Sequence, residues 1–300
     1  MIDLQMHSNF SDGSQSPSEL VNEAKSLGLR AIALTDHDTV DGLPEFMNED
    51  KNSSVITVPG VEISVDTKLP NNGHMHILGL FIDYEDQELK SKLDYLKIHR
   101  NERAEKIIKA LGNLGIEITL DELFLEAGEV SIGRPHIAKI LLRKKVVSSI
   151  QEAFERYLAK GKPAYVEKVK FGEQDAIRMI KDANGLAILA HPHLMHFNTL
   201  KETTQKILSL RSFGLDGIEV YYPGLHPKYT ELLQLFALEN DLALSGGSDY
   251  HGKNKDGIKM GTGKGYLFVP DQIYSDLKER WENGRNAPVV IPINNDIIEK

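Results

Sequence analysis

The chain has 300 residues, 41% hydrophobic and 26% charged, a balance that belongs to a folded globular protein and excludes a disordered one. It has no cysteine, which rules out a disulfide scaffold, a thiolate nucleophile, cysteine-held zinc and iron–sulfur clusters. Its 35 basic and 44 acidic residues leave a net charge of −9, so a polyanionic substrate needs local positive charge, from bound metal or from a basic subregion.

Short apolar runs alternate with amphipathic ones from the start. Residues 2–6 read as a strand. Ser16 then offers a helix N-cap, with Pro17 at the first helical position, Glu19 three residues on, and Gly28 as the stop. Further short buried strands are predicted at 30–35, 55–58 and 75–82, the last after the turn Asn71-Asn72-Gly73. Between about 87 and 162 the pattern is helical throughout, at 88–112, 119–127, 135–144 and 149–159. The alternation then resumes, with helices at 173–183, 199–212 and 227–239 preceding strands at 186–190, 217–221 and 242–245. A glycine-rich segment, Gly261-Thr262-Gly263-Lys264-Gly265, lacks the spacing of a Walker A loop and reads as a turn before a strand at 266–269.

Strand–helix alternation with short buried strands predicts an α/β fold with a largely parallel sheet, open or closed into a barrel. The stretch 87–162 is expected to be a helical insertion subdomain in a domain made of 1–86 and 163–300. From His99 to Lys162 there are 12 basic and 9 acidic residues, a slight positive excess in an otherwise acidic chain. No secretory signal and no apolar run of the ~18 residues that span a bilayer are visible, so the expectation is a cytoplasmic protein without membrane association. No obligatory protein partner is inferred.

Eleven histidines are present, and several stand at predicted strand ends beside carboxylates. The first strand runs into Gln5-Met6-His7 and is followed by Asp12. The second runs into Asp36-His37-Asp38, and the third into Gly60-Val61-Glu62. His74-Met75-His76 opens the fourth. His191-Pro192-His193 and Asp249-Tyr250-His251 follow two later strands. In parallel α/β folds the carboxyl ends of the strands converge on one face, where sites form. A convergent set of imidazoles and carboxylates suits two or three divalent ions such as Zn, Mn or Fe, with Glu62 a candidate bridge. Such a centre activates water, clamps phosphoryl oxygens, and gives an acidic protein the local positive charge that a phosphate substrate requires.

Several segments together carry a family resemblance. They are Asp3-Leu4-Gln5-Met6-His7-Ser8, Ser11-Asp12-Gly13, Thr35-Asp36-His37-Asp38-Thr39, Pro59-Gly60-Val61-Glu62, His76-Ile77-Leu78-Gly79, Gly133-Arg134-Pro135-His136, Ala190-His191-Pro192 and Gly247-Ser248-Asp249-Tyr250-His251-Gly252. With them the chain resembles the PHP (polymerase and histidinol phosphatase) metal-dependent phosphoesterases. Within that family it is similar to the subgroup with a helical insertion that acts on nucleoside 3′,5′-bisphosphates and the 5′ ends of short RNA. The resemblance implies a distorted seven-stranded β/α barrel with two or three divalent metal ions in a cleft. It implies a substrate that is a phosphorylated nucleotide or short oligonucleotide, hydrolysed at its 5′-phosphate by metal-activated water.

Carried across residue by residue, it implies one ion held by Gln5, His7, Glu62 and Asp249. A second is held by Glu62, His76 and His191, and a third by Asp12, His37 and His251. The water attack is centred on His37, Glu62 and His191. The departure is Gln5, where the family has histidine. A neutral amide oxygen is a weaker ligand, so this first site is expected to hold its ion less firmly. Arg134 and His136, from the insertion, and His193 are implied substrate contacts, with the insertion acting as a substrate lid. His74 is an alternative to His76. Asp36, Asp38 and Glu219 are expected to orient imidazoles from behind. A histidinol-phosphate type monoesterase and a weakened, non-catalytic metal-binding module are the competing readings.

Overall fold

Residues 1–49, 54–127 and 132–284 are described by a computed structural model. In chain order the elements are β1 (Asp3–Met6), α1 (Pro17–Ser26), β2 (Ala31–Leu34), α2 (Leu43–Asn48), β3 (Ile56–Asp66), β4 (His76–Leu80), α3 (Gln87–Gly112), α4 (Leu120–Ala127), α5 (Arg134–Arg143) and α6 (Ile150–Ala153). They continue with β5 (Phe171–Gly172), α7 (Glu173–Asp182), β6 (Leu186–Leu189), α8 (Leu200–Ser212), β7 (Gly217–Tyr221), α9 (Pro227–Glu239), β8 (Ala243–Gly246) and α10 (Asp271–Asn283). The chain divides into two units, one of Met1–Lys90 with the described residues from Phe171 onward, the other of Ser91–Lys170.

In the first unit the strands follow the order β1-β2-β3-β4-β6-β7-β8, and β5 adds a short eighth strand beside β3. β1, β2 and β3 run parallel, as do β6, β7 and β8; β4 is antiparallel to both of its neighbours. The sheet curls until its two ends meet. Met6 and Tyr250 form a parallel bridge, with the His7 N–H on the Tyr250 carbonyl at 2.9 Å. The result is the distorted seven-stranded β/α barrel with a mixed sheet.

Local chemistry accounts for these elements. Ser16 caps α1 reciprocally with Glu19, at 3.2 Å from the Glu19 N–H to the Ser16 hydroxyl and 2.8 Å from the Ser16 N–H to the Glu19 carboxylate. Gly28, at φ +68°, takes the left-handed turn after the helix. β2, β6 and β8 are buried along their whole length, and β2 and β6 read as short apolar runs rather than as alternation. β1 is buried too, but carries Asp3 and Gln5 in alternation with Leu4 and Met6. The period of two puts Asp3, Gln5 and His7 on one face and the apolar pair on the other.

The expected strand at 266–269 does not form. The Leu267 N–H closes a turn on the Thr262 carbonyl at 3.0 Å, and Gly263 and Gly265 take positive φ, curling the segment away from sheet geometry. Nor does the predicted helix at 149–159 run unbroken: α6 gives way to a wider π-type turn over Phe154–Leu158. The pattern did not announce β5 or α10.

The second unit is helical in its described residues. Its own core includes Ile107, Leu111, Leu123, Ile137, Leu141 and Leu158, all 1% exposed or less. Among the described residues no helix is long and apolar enough to cross a membrane.

Candidate metal centre

The strand ends of the first unit bring the histidines and carboxylates together. Glu62, 1% exposed, is the hub. Its Oε1 lies 2.6 Å from His76 Nδ1 and 3.0 Å from His191 Nε2. Its Oε2 lies 3.0 Å from His7 Nε2, 3.7 Å from His37 Nδ1 and 3.2 Å from Gln5 Nε2. The two oxygens of one carboxylate therefore face two different sets of donors. His7 Nε2 is also 3.3 Å from Asp249 Oδ1. Asp12 closes a further set, with His251 Nε2 at 3.2 Å from its Oδ1 and His37 Nε2 at 3.9 Å from its Oδ2. One donor atom from each of His7, Asp12, His37 and His251 can be chosen so that all lie within 4.8 Å of one another. The same holds for His37, Glu62 and His76, and for His7, Glu62 and Asp249.

His76 joins this face because β4 is antiparallel. The start of β4, not its end, lies level with the carboxyl ends of the parallel strands. His76, and not His74, makes the close approach to Glu62; the His74 ring stands 5.2 Å from that of His76 and 5.6 Å from that of His191.

Buried carboxylates hold the loops that carry the cluster. Asp36 accepts from the Ser8 N–H at 2.8 Å, the Ser8 hydroxyl at 2.6 Å and the Ser11 hydroxyl at 2.5 Å, fixing the loop between His7 and Asp12. Asp3 accepts from the Ser248 N–H at 2.8 Å, the Ser248 hydroxyl at 2.5 Å and the Gly261 N–H at 2.7 Å, fixing the loop that carries Asp249 and His251. Asp38 accepts from the Ser64 N–H at 2.9 Å, two residues beyond Glu62. Glu219 accepts from the His191 N–H at 2.8 Å. The expectation that Asp36 and Glu219 orient imidazole rings gives way to other partners: Asp36 accepts from the Ser8 backbone and the Ser8 and Ser11 hydroxyls, and Glu219 from the His191 backbone N–H.

These grips act where the backbone is strained. Asp249 and Asp38 sit at φ +53° and His191 at φ +29°, a conformation that a histidine before a proline adopts only when its surroundings impose it. Close approach does similar work at Gly247: a Cβ there would stand 2.5 Å from the Gln5 nitrogen and 2.6 Å from its Cβ.

Burial and mutual charge set the protonation states. Burial pushes His37 down to about 4, His74 to about 3 and His193 to about 4, so these imidazoles are neutral and offer lone pairs. Burial also opposes charge on His7, but the facing carboxylates of Asp249, Glu62 and Asp12 outweigh it and raise its pKa well above the usual histidine value. Burial likewise works against charge on Glu62 and Asp12. Neighbouring imidazoles reverse the effect, His37 foremost for both, and both stay well below the usual carboxylate range. Asp3, with no cation beside it, is pushed up to about 6 by burial.

The donor set fits divalent metal. Gln5 Oε1, both nitrogens of His7, His37 Nδ1 and His191 Nδ1 are buried without a hydrogen-bond partner. His7 Nε2 meets two carboxylates at short range, Glu62 at 3.0 Å and Asp249 at 3.3 Å. Buried polar atoms are satisfied in the great majority of cases, so this concentration in one place is the mark of a missing common partner. Imidazole nitrogens and carboxylate oxygens are the ligands that Zn, Mn and Fe accept.

Outside the cluster, His193 places its ring 4.8 Å from that of Tyr222, and its Nδ1 is buried without a partner. In the second unit, Arg134 donates to the Leu158 carbonyl at 3.0 Å and lies 5.6 Å over the rings of both Phe154 and Tyr165. His136 Nδ1 accepts the Gly133 N–H at 3.1 Å as the cap of α5. Two residues escaped the sequence reading: the Tyr222 hydroxyl donates to Asp249 Oδ2 at 2.7 Å, and the Lys255 ammonium pairs with the same oxygen. A tyrosine after a strand and a lysine in a polar turn carry no pattern that marks them.

Comparisons with known proteins show the family. The PHP domain model matches residues 3–251. The chain is 37% identical over 263 residues to a 5′-3′ exoribonuclease of Haemophilus influenzae, covering 85% of this chain and 94% of that one. It is 32% identical over 284 residues to a 3′,5′-nucleoside bisphosphate phosphatase of Chromobacterium violaceum, covering 93% and 97%. A proposed metal-dependent phosphoesterase from Bifidobacterium adolescentis superposes with a TM-score of 0.78 at 27% identity, covering 93% and 96%. The family model over residues 3–251 and relatives 37% and 32% identical over most of the chain show that the chain belongs to the PHP domain family.

Proposed function

We propose that this protein is a metal-dependent phosphoesterase that hydrolyses the 5′-phosphate of nucleoside 3′,5′-bisphosphates or of short 5′-phosphorylated oligonucleotides. The observation that carries the reading is the placement of Glu62, whose two oxygens serve separate donor sets within one buried cluster. The names of the Haemophilus and Chromobacterium relatives supply the substrate class.

Two or three divalent ions fit the residues present. Gln5, His7, Glu62 and Asp249 would hold one, Glu62, His76 and His191 a second, and Asp12, His37 and His251 a third. When bound, such ions supply Lewis acidity: they polarise the phosphoryl group and make water a better nucleophile. The chain's own residues do the rest. Neutral His37 and His193 keep their lone pairs at physiological pH. Asp3, Asp36 and Glu219 hold the loops still, so that donor atoms need not reorganise during the reaction. Arg134 and His136 are assigned to substrate on the strength of their Gly-Arg-Pro-His segment.

Incubation with adenosine 3′,5′-bisphosphate and Mn²⁺ tests the reading. Wild type is expected to release inorganic phosphate and to act faster on the bisphosphate than on adenosine 5′-monophosphate. His37→Ala is expected to lose at least ~100-fold in rate while remaining folded. Absence of phosphate release with Mn²⁺, Zn²⁺ and Fe²⁺ alike would falsify it.

A further inference from the structure

One wall beside the cluster is built from Tyr222 and Lys255, to which no role has been given, and from His193. Asp249 stands between two environments. Its Oδ1 faces the imidazoles, at 3.3 Å from His7 Nε2 and 3.6 Å from His251 Nδ1. Its Oδ2 faces away, accepting from the Tyr222 hydroxyl at 2.7 Å and from the Lys255 ammonium. Lys255 Nζ also donates to the Tyr222 oxygen at 3.3 Å and lies 5.7 Å from the centre of its ring. On the same ring, His193 packs at 4.8 Å with its Nδ1 buried and unpartnered.

The charges do not suit a purely structural lysine. Asp249 Oδ2 already has a donor in the Tyr222 hydroxyl at 2.7 Å, so Lys255 is a second donor to one oxygen. The Lys255 side chain is 35% exposed, against 9% for Asp249, so its flexible stem ends at solvent rather than in the core. An ammonium has three donors, and two are spent on Asp249 and Tyr222. Once cations fill the imidazole side of Asp249, a lysine on its other side is repelled by them and drawn toward any anion they hold.

We propose that Lys255 is a substrate-gripping residue. It swings from Asp249 Oδ2 to a non-bridging oxygen of the phosphoryl group, while Tyr222 keeps Asp249 in place and His193 packs on the same wall. The ligand class is a phosphate monoester or inorganic phosphate. This inference rests on the phosphoesterase reading for its place in catalysis, but its binding test does not need turnover.

The test is calorimetric titration of inorganic phosphate into the Mn²⁺-loaded protein, with Mn²⁺ content measured on the same samples. Lys255→Met is expected to weaken phosphate binding about 10- to 100-fold, the range for losing a charge-assisted hydrogen bond. Its metal content and melting temperature are expected to match wild type, and Lys255→Arg is expected to recover most of the affinity. In kinetics the loss should fall on KM more than on kcat. Phosphate affinity unchanged within twofold in Lys255→Met would overturn the proposal. So would a parallel loss of Mn²⁺, which would make Lys255 a support for Asp249 only. If wild type binds phosphate through Lys255 but hydrolyses no bisphosphate, the phosphoesterase reading fails while the grip stands.

Discussion

Gln5 Nε2 donates to Glu62 Oε2 at 3.2 Å, while Gln5 Oε1 lies buried without a partner. The amide thus turns its proton, not its lone pair, toward the shared carboxylate. To ligate an ion it must exchange the two ends, giving up that hydrogen bond. A histidine at this place offers a lone pair without the exchange. Gln5→His is therefore expected to raise the affinity of the first site about tenfold or more, read as a higher Mn²⁺ or Zn²⁺ content after dialysis. An unchanged metal content would show that Gln5 leaves this site no weaker.

Metal uptake should release protons. In the metal-free protein the carboxylates around His7 raise its pKa well above the usual 6.5, so at pH 7 the ring carries a proton that an incoming ion must displace. Affinity is expected to fall as pH falls, by up to about tenfold per unit below the His7 pKa. Calorimetric titration of Mn²⁺ at pH 7 in two buffers of different ionisation enthalpy measures the release directly. Heats identical in both buffers would contradict the charged ring.

Asp36 binds three donors with one buried carboxylate. Asp36→Asn keeps the volume but turns one acceptor into a donor facing hydroxyls and an N–H. The expected loss is about 1–3 kcal/mol, seen as a fall of several degrees in Tm, because a buried polar group left unsatisfied costs that much. Release of the His7–Asp12 loop should also lower metal content at the Asp12, His37 and His251 set. A variant with wild-type Tm and full metal content would mean that the loop is held by other means.

Asp3 supplies a pH-dependent contribution of the opposite sense to a salt-bridged acid. Burial raises its pKa from 3.8 to about 6, so between those values the folded state binds a proton that the unfolded state does not. Its contribution to stability therefore rises as pH falls through about 6 and levels off below 3.8. Asp3→Asn has no such group. The stability of wild type relative to Asp3→Asn is expected to increase from pH 7 to pH 4 in urea unfolding, and a flat difference would rule out the raised pKa.

The sequence by itself determined the short buried strands, the capped helix at Ser16, the helical character of the middle of the chain, and the chemistry of the cluster. Those properties are local: strand burial shows as apolar runs, a cap shows as Ser-Pro-Ser-Glu, and metal-ligand types recur at successive strand exits. Only the tertiary structure decided how they meet. That His76 rather than His74 reaches Glu62 depends on β4 running against its neighbours, which is set by pairing across distant segments. That Asp36 grips serines, and that Asp249 has Tyr222 and Lys255 behind it, depends on loops that follow different strands being packed side by side. Side-chain chemistry is written along the chain, but the direction in which each carboxylate oxygen points is settled by packing, and packing is a property of the whole sheet.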